Sequence, residues 1–399
     1  MIPRTHHAVP SSWRRLAILL SVTLIAGFNQ GLLLPLLAIL LDQRGIPSDV
    51  NGLNAMALYV GTFSMMFFVE RPVRKFGYKP VILTGITVTG IATMMFPLCA
   101  YLWVWFVLRL AVGIGDSALH YCTQLWIVSS SPPDKRGRYI SLYGMAYGIG
   151  FSLGPTGINL TKLGSWYPFA MNLLLFAIVF LFLMALKPEY PEAAQPSAEN
   201  GNRFLSVYRI AWFALLPAML YGLLESTMNS NFPLYGLRIA LSKEAISMLL
   251  PALGIGSLIV MLPLGALSDR LGRKGVLIGC AFTAGLLFFA LPLAGSNLPL
   301  LFVLLALIGG LVGSFFSLGL AYAADLLPKT VLPSANVIAS IHFSIGSLIG
   351  PSLSGYSMSH ISVNSLFIML GSAFMLFSAT GLFFRRSKKS VAAESNLYV

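Results

Sequence analysis

Residues Leu16–Leu41 read LAILLSVTLIAGFNQGLLLPLLAILL and contain no charged side chain, although Arg14 and Arg15 stand directly before them. A helix needs about 20 mostly apolar residues to cross the hydrocarbon core of a bilayer. The apolar part of a cleavable secretory signal has only about 7–15 residues. The run is too long for such a signal, so it predicts a first membrane-spanning helix that remains in the mature protein.

The rest of the chain has the same apolar character. Hydrophobic residues make up 57% of it and charged residues only 10%, and its mean hydropathy is +0.80. A soluble domain has about 25% charged residues, because water must cover its surface. The composition therefore indicates an all-α polytopic membrane protein whose surface lies largely against lipid.

Eleven further apolar runs follow the first and are separated by polar loops. We predict twelve transmembrane helices with the approximate bounds 14–41, 51–69, 80–100, 103–129, 139–161, 166–186, 209–232, 245–267, 275–294, 299–323, 334–358 and 364–385. An even number of spans puts both termini on the same side of the membrane.

The distribution of basic residues identifies that side. The net charge of +13 comes mainly from Lys and Arg near both termini and in alternate loops, whereas the opposite loops have only Arg44, Lys162, Arg238 and Lys243. Short cytoplasmic loops are enriched in Lys and Arg. We therefore expect both termini in the cytoplasm, and the basic charge requires no nucleic-acid partner. The compact loops favour a bacterial inner membrane protein.

A polar segment interrupts the apolar pattern near the middle of the chain. Residues 187–208 contain several prolines and glutamates, a composition that cannot form a packed core. We interpret this segment as a cytoplasmic linker. It separates an N-terminal six-helix bundle, residues 1–186, from a C-terminal six-helix bundle, residues 209–399, which ends in a basic cytoplasmic tail.

The two halves of the sequence repeat. Gly150-Phe-Ser-Leu-Gly154-Pro155 recurs 196 positions later as Gly346-Ser-Leu-Ile-Gly350-Pro351. The loop segment 76–79 recurs 195 positions later as residues 271–274. Because six spans return the chain to its starting side, the two bundles are expected to be related by a parallel repeat.

One loop motif resembles that of a known family. Gly265-Ala-Leu-Ser-Asp269-Arg270-Leu-Gly272-Arg273-Lys274 is similar to the G-x-x-x-D-R-x-G-R-K loop of the major facilitator superfamily. Glycines permit a tight turn there, and the charges can pair with helix ends. The resemblance implies that the loop helps to hold one conformation of a transporter.

The first half departs from this loop pattern. Glu70 stands where the motif has its first glycine, and Arg74 stands where it has its aspartate. The resemblance then implies that the loop acts mainly from the second half, or that Glu70 forms a substitute pair.

Two further motifs lie within spans 4 and 5. Arg109-Leu-Ala-Val-Gly113-Ile-Gly115 resembles the family's R-x-x-x-G-x-G pattern, whose arginine is usually assigned to proton coupling. Gly150, Gly154 and Pro155 resemble the G-x-x-x-G-P motif of twelve-span drug or metabolite:proton antiporters. Small residues four apart let helices approach closely, and proline bends a helix. This resemblance implies alternating access of two helix bundles.

Span 4 has the densest set of polar residues. At 100° per residue, one arc of about 80° contains Arg109, Gly113, Asp116, His120 and Gln124. Ionisable residues at membrane depth are costly and indicate function. We interpret this face as the lining of a water-filled path, with Asp116, Arg109 and His120 as proton-coupling candidates. For Arg109 the alternative role is the binding of an anionic substrate. The alternative is a structural network in which Asp116 and His120, one turn apart, satisfy one another.

Span 7 repeats this arrangement more sparsely. Tyr221, Glu225 and Asn229 are spaced by four and share a helix face. A carboxyl group buried without a basic partner can exchange a proton near neutral pH, so Glu225 is a further coupling candidate. If it lies near the outer water layer instead, it is simply solvated.

Other polar residues within the spans are candidates for a substrate cavity. They are Asn29, Gln30, Gln124, Tyr143, Tyr147, Tyr221, Asn229, Tyr322 and His342. The competing interpretation is packing, since tyrosines often anchor membrane helices and a lone histidine is often a hydrogen-bonded packing residue.

These observations favour proton-coupled export of a small organic molecule such as a drug, metabolite or metallophore. The alternatives are a proton-coupled metabolite importer and a membrane binding protein without transport.

No catalytic triad, P-loop or metal-ligand spacing occurs, and Cys99, Cys122 and Cys280 have the character of small apolar residues. We expect no enzyme activity, cofactor or metal. The expected partners are the bilayer, the substrate and protons, and one chain is expected to act as a monomer.

Overall fold

The structure is a computed structural model that describes residues 13–132, 135–191 and 201–384. Within these ranges it contains fourteen α-helices and no β-strand. The helices of the first half are α1 Trp13–Gln43, α2 Ser48–Phe68, α3 Glu70–Phe76, α4 Tyr78–Met95, α5 Leu102–Ser129, α6 Arg136–Leu153 and α7 Tyr167–Met184. Those of the second half are α8 Gly201–Arg238, α9 Lys243–Leu271, α10 Arg273–Ala290, α11 Leu298–Val312, α12 Phe315–Leu326, α13 Leu332–His360 and α14 Ser365–Phe383.

These helices make up six passages in each half of the chain, as the sequence predicts. Ten described helical segments are long and apolar enough to cross a membrane, and α2 and α3 add an eleventh although they are bent by 55°. The twelfth passage is α6 with the 3₁₀ segment Gly154–Lys162. It is less apolar than the others because it begins with Arg136-Gly-Arg138 and is rich in glycine and tyrosine. The all-helical, twelve-span prediction is confirmed.

The chain divides into two compact units. Of the described residues, the first unit contains 13–36 and those from 57 to 191, and the second contains 37–56 and 201–384. In the first unit α4 packs chiefly on α5, and in the second α8 packs on α13 and α11 on α9. Each unit exposes many large apolar side chains, among them Phe67, Leu98, Leu262 and Leu293. Such a surface suits lipid rather than water.

Glycines bring the helices of each unit into backbone contact. A Cβ on Gly150 of α6 would overlap the Leu24 carbonyl oxygen of α1, and one on Gly346 of α13 would overlap the Met219 carbonyl oxygen of α8. Helices can approach this closely only where side chains are absent. The repeat seen in the sequence therefore serves the same packing purpose in both units.

A second pair of glycine contacts follows the same repeat. A Cβ on Gly113 of α5 would overlap the Leu58 carbonyl oxygen of α2, and one on Gly309 of α11 would overlap the Leu253 carbonyl oxygen of α9. Gly113 and Gly309 are 196 positions apart, as are Gly150 and Gly346. The parallel repeat thus extends beyond the motifs that revealed it.

The hairpin of residues 37–56 packs within the second unit. Gly45 has a φ of 74° in the turn between α1 and α2, a conformation that favours glycine. A Cβ on Gly52 would overlap the Pro351 carbonyl oxygen, and one on Gly355 would overlap that of Ser48. The end of α1 and the start of α2 therefore lie tightly against α13.

The expected linker is only partly free of regular structure. Helix α8 begins at Gly201, within the range 187–208. Val207 is buried, which explains why the helix extends further than the polar composition predicts. Residues 192–200, Arg4 at the N-terminus and the basic tail from Arg385 lie outside the described residues.

Candidate functional site

Helix α5 places its polar residues in different environments. Arg109 is 1% exposed and Asp116 is 5% exposed, while His120 is partly buried and Gln124 is exposed. Seven residues, or about 10 Å of helix, separate Arg109 from Asp116. The predicted face is therefore buried at Arg109 and opens toward Gln124, and Gly113 on it serves the contact with α2.

Asp116, His120 and Tyr143 form the centre of a polar cluster in the first unit. Asp116 Oδ2 lies 3.7 Å from His120 Nε2, one turn away on α5. His120 Nδ1 lies 3.1 Å from the hydroxyl of Tyr143 on α6. When that hydroxyl donates to Nδ1, the ring proton lies on Nε2, the nitrogen that faces Asp116.

Two more of the predicted cavity residues join this cluster. The Tyr147 hydroxyl on α6 donates a 2.8 Å hydrogen bond to Gln30 Oε1 on α1. The ring of Tyr147 meets the His120 ring edge to face, with 5.0 Å between centroids. We define Gln30, Asp116, His120, Tyr143 and Tyr147 as the polar cluster. Helices α1, α5 and α6 supply its side chains.

The polar cluster retains unused hydrogen-bonding capacity. Asp116 Oδ1 and His120 Nε2 are buried and have no hydrogen-bond partner among the described residues. The 3.7 Å between the two side chains is too long for a hydrogen bond. Buried polar atoms are usually paired. A water molecule or a polar ligand group between the two side chains would satisfy both.

Asn29 is not part of this cluster. The Nδ2 of Asn172 on α7 donates a 2.6 Å hydrogen bond to Asn29 Oδ1, and both residues are fully buried. The amide pair joins α1 to α7 inside the first unit. Asn29 therefore contributes to helix packing at the position where the sequence suggested a cavity residue.

The second unit has its own buried carboxyl group. Glu225 on α8 is 9% exposed, and the Tyr221 hydroxyl, one turn earlier, lies close enough to interact with its carboxyl group. Asn229 Nδ2 donates a 2.8 Å hydrogen bond to the Glu225 carbonyl oxygen. The structure therefore brings together the three residues that the sequence placed on one face. Glu225 lies in the protein interior, so the alternative of a solvated side chain does not apply.

The other two cavity candidates of the second unit lie elsewhere. His342 on α13 is half-buried and stacks on Tyr208 of α8, with 5.6 Å between ring centroids. Its Nδ1 lies 3.0 Å from the Ile338 carbonyl oxygen. Tyr322 on α12 contacts Phe213 edge to face. Aromatic packing thus accounts for part of the surroundings of both residues.

Sequence analysis missed several polar residues near Glu225. Helix α8 also buries Ser226, Thr227, Ser230 and Asn231. Asn231 Nδ2 donates a 2.9 Å hydrogen bond to the Pro351 carbonyl oxygen of α13. A sequence signal for these residues exists. Ser226 and Ser230 are four positions apart, as are Thr227 and Asn231, and this spacing predicts polar stripes on adjoining helix faces.

The loop between α9 and α10 is organised around Arg273. Its guanidinium lies 3.2 Å from Asp269 Oδ1 and 2.9 Å from Asp325 Oδ1 on α12. Gly272 between the helices has a φ of 90°, which favours glycine. Arg270 is exposed. A Cβ added to Gly265 would meet no atom within 4 Å, so the structure gives no packing reason for a glycine there.

The corresponding loop of the first unit pairs its charges differently. Arg74 lies 2.6 Å from Glu70, one turn away on α3, and both side chains are exposed. This is the substitute pair that the sequence suggested. Lys79 donates to the carbonyl oxygens of Met184 and Leu186 at the end of α7. A cation at the C-terminus of a helix satisfies orphan carbonyls and the helix dipole.

Lys274 repeats the role of Lys79 in the second unit. It donates a 2.6 Å hydrogen bond to the Phe384 carbonyl oxygen at the end of α14. Each lysine therefore ties the start of the third span of its unit to the end of the last.

Glu189 is a further residue that sequence analysis did not identify. One oxygen of its carboxylate pairs with Arg15 on α1, and the other accepts a hydrogen bond from the Trp126 indole on α5. Its carbonyl oxygen accepts a 2.9 Å hydrogen bond from the Tyr78 backbone N–H. Three parts of the first unit thus meet at the segment after α7. In the sequence Glu189 is one of several glutamates in a polar stretch, and nothing distinguishes it.

Among the described residues, no group of three or more His, Cys, Asp or Glu side chains has the arrangement of a metal site.

The sequence and its fold match known transporters. A family model described as Major Facilitator Superfamily matches residues 19–242 and again residues 218–396. An uncharacterized MFS-type transporter of Bacillus subtilis, YfkF, is 39% identical over 357 residues, which are 88% of this chain and 91% of that protein.

Two solved structures share the fold. The nucleoside transporter NupG superposes with a TM-score of 0.73 at 16% identity, covering 92% of this chain and 98% of that one. A bacterial homolog of the human lysosomal transporter Spinster gives a TM-score of 0.68 at 17% identity, covering 95% and 100%. At these identities the likeness concerns the fold alone.

Proposed function

This chain belongs to the Major Facilitator Superfamily, and on that premise we propose that it exports a small organic molecule in exchange for protons. The substrate class is a drug, a metabolite or a metallophore. The bacterial relative and the compact loops support a location in a bacterial inner membrane.

The observation on which the proposal mainly depends is the pair of Asp116 and His120. Their facing atoms are 3.7 Å apart, and both side chains leave a buried polar atom without a hydrogen-bond partner in the described part of the chain. A proton taken up by Asp116 neutralises the buried carboxylate. Binding a proton or a cationic substrate group at the same place makes the two compete, as exchange requires.

Glu225 supports the proposal from the second unit. It is a second buried carboxyl group, and the neighbouring side chain of Tyr221 is neutral. An intramembrane carboxyl group is costly and marks a proton or substrate pathway in many membrane proteins. Each unit therefore supplies one candidate for proton uptake.

Export rather than import is supported by the motif in α6. Gly150 and Gly154 both contact the backbone of α1, and Pro155 follows within the 3₁₀ segment. The motif resembles that of the antiporter branch. Its glycines allow the close contact with α1, so their spacing has a structural reason in this protein.

The test is transport in proteoliposomes that contain the full chain and a pH-sensitive dye. Lipophilic drugs, metabolites, metallophores and nucleosides are added under an imposed pH gradient. A transported compound is expected to move protons in the opposite direction. Asp116→Asn, Glu225→Gln or both are expected to abolish this proton movement, and Asp49→Asn, at the start of α2, is the matched control. Wild-type rates in both single variants and in the double variant would rule out the proposed coupling.

A proton-coupled importer is the second candidate. The fold is similar to that of NupG, whose structure is described as that of a nucleoside transporter. Movement of protons and substrate in the same direction, for nucleosides or another metabolite, would favour this candidate. Binding of a compound without any movement would favour a protein that has lost transport.

A further inference from the structure

An apolar groove of about 380 Å³ opens on the first unit, between α4 and α5 and beside α3. Residues of α3 and α4 form its wall from Pro72 and Phe76 to Thr84 and Val88. Pro80 and Val88, both on α4, are about 12 Å apart along the helix axis. The groove is therefore elongated, and it runs from the short helix α3 toward the middle of the span.

Small residues produce the depth of this groove. Gly85 of α4 and Gly115 and Ala118 of α5 line it. A Cβ on Gly85 would lie only 2.7 Å from the Gly115 carbonyl oxygen, so the two helices are in backbone contact there. Among the described residues no large side chain fills the space above that contact, so the groove is open to an occupant.

Basic side chains stand at the end of the groove formed by α3. Arg71 and Lys75 are one turn apart and exposed, and each adjoins a groove residue in sequence. The ammonium of Lys75 lies 5.1 Å from the centroid of the Phe76 ring, which lines the groove. Arg74 pairs with Glu70, whereas in the described residues neither Arg71 nor Lys75 lies in an ion pair with a carboxylate.

We propose that this groove binds an anionic phospholipid. One acyl chain lies between α4 and α5, and the headgroup phosphate lies against Arg71 and Lys75. The sequence predicts α3 at the cytoplasmic face, where anionic lipids attract basic residues close to the membrane. A zwitterionic lipid has the same acyl chains but no net charge for the two cations, so charge complementarity favours the anionic class. This inference is independent of the transported substrate.

The experiment uses the full chain in vesicles that contain a photoactivatable phosphatidylglycerol with a diazirine in its acyl chain. A matched phosphatidylcholine probe is used in parallel. Labelling of residues 80–88 is measured by mass spectrometry relative to labelling of α14. We expect the phosphatidylglycerol probe to label the groove about thirtyfold more than the phosphatidylcholine probe, on the scale of attraction that two basic residues exert.

Three variants distinguish the parts of the site. Arg71→Gln with Lys75→Gln is expected to remove the preference for phosphatidylglycerol, because both residues are exposed and only their charge changes. Thr84→Trp is expected to block labelling by filling the groove. Arg136→Gln with Arg138→Gln removes two exposed cations at the start of α6 and is the matched control, which should label as the wild type does.

Several outcomes would overturn the proposal. Equal labelling by the two probes would show that the groove holds ordinary surrounding lipid without selectivity. Unchanged labelling after Arg71→Gln with Lys75→Gln would rule out the proposed headgroup site. Unchanged labelling in Thr84→Trp would rule out the proposed acyl-chain site. Competition by soluble glycerol phosphate at the probe concentration would indicate a site for free phosphate rather than for lipid. Size-exclusion chromatography and circular dichroism check that each variant is folded.

Discussion

The indole Nε1 of Trp126 donates a 2.7 Å hydrogen bond to Glu189 Oε2, and Glu189 is the residue that joins α5 to the segment after α7. The second carboxylate oxygen pairs with Arg15 on α1. Trp126 is fully buried and also stacks on Tyr78, with 5.7 Å between the ring centroids. A residue from the supposed linker therefore completes the end of the first unit.

Replacing Glu189 with Gln should destabilise the first unit. The amide cannot accept from Arg15 and Trp126 as a carboxylate does, and loss of a charge-assisted pair costs about 1–3 kcal/mol. Thermal unfolding in detergent should show a lower apparent Tm. Glu70→Gln is the control, because its exposed pair with Arg74 is expected to contribute less than about 1 kcal/mol. An equal effect of the two substitutions would show that Glu189 is an ordinary surface residue.

Replacing Gly150 with Ala should impair both folding and transport. The new Cβ would overlap the Leu24 carbonyl oxygen, and overpacking of this kind costs about 1–3 kcal/mol. Gly148→Ala in the same helix is the control, because no atom lies near its missing side chain. Alanine has the higher helix propensity by about 1 kcal/mol, so this variant should be at least as stable as the wild type. Thermal unfolding and vesicle transport measure both effects.

Replacing Arg273 with Lys should slow transport without unfolding the protein. A lysine cannot hold Asp269 and Asp325 together in the geometry of the planar guanidinium. We expect a decrease of several-fold in transport rate, with Asp325→Asn giving a similar decrease. Arg270→Lys, at an exposed neighbouring position, should behave as the wild type. If Arg273→Lys also transports normally, the loop pairs are not needed for the transport cycle.

The amide pair of Asn29 and Asn172 can be examined by a double-mutant cycle. Asn29→Leu alone leaves the buried amide of Asn172 without its partner, which costs about 1–3 kcal/mol. Substituting both residues with Leu removes the two polar groups together and should cost less than the single change. Retained transport in the double variant would support a packing role. Loss of transport in a stable double variant would instead indicate that an amide contacts the substrate.

The sequence was sufficient for the helices, the repeat and the glycine contacts, because these depend on local composition and spacing. The stripe of Asp116 and His120 follows in the same way from helix geometry. The hydrogen-bond partner of each polar residue cannot be predicted from the sequence. Tyr143 lies 23 residues from His120, and Asn172 lies 143 residues from Asn29. Only the packing of α1, α5, α6 and α7 selects those partners.

Span bounds were less predictable where the chain bends. The tenth predicted span is two helices, α11 and α12, since the chain breaks at Gly313 and Ser314. The hydropathy of the segment is uninterrupted, so composition alone did not indicate the break. The sequence predicts that Glu70 forms a substitute ion pair in the loop of the first unit. It does not predict the contacts of Glu189 with Arg15 and Trp126, because these depend on where α7 ends in space.

The glycine contacts between α1 and α6 restrict how these positions can change during evolution. Gly27, Gly31, Gly150 and Gly154 each face backbone atoms of the opposite helix. A clash with a side chain can be relieved by a smaller residue at the partner position, but a backbone atom cannot be made smaller by any substitution. A genetic screen that starts from an alanine at one of these glycines should therefore return true revertants and no compensating change on the facing helix.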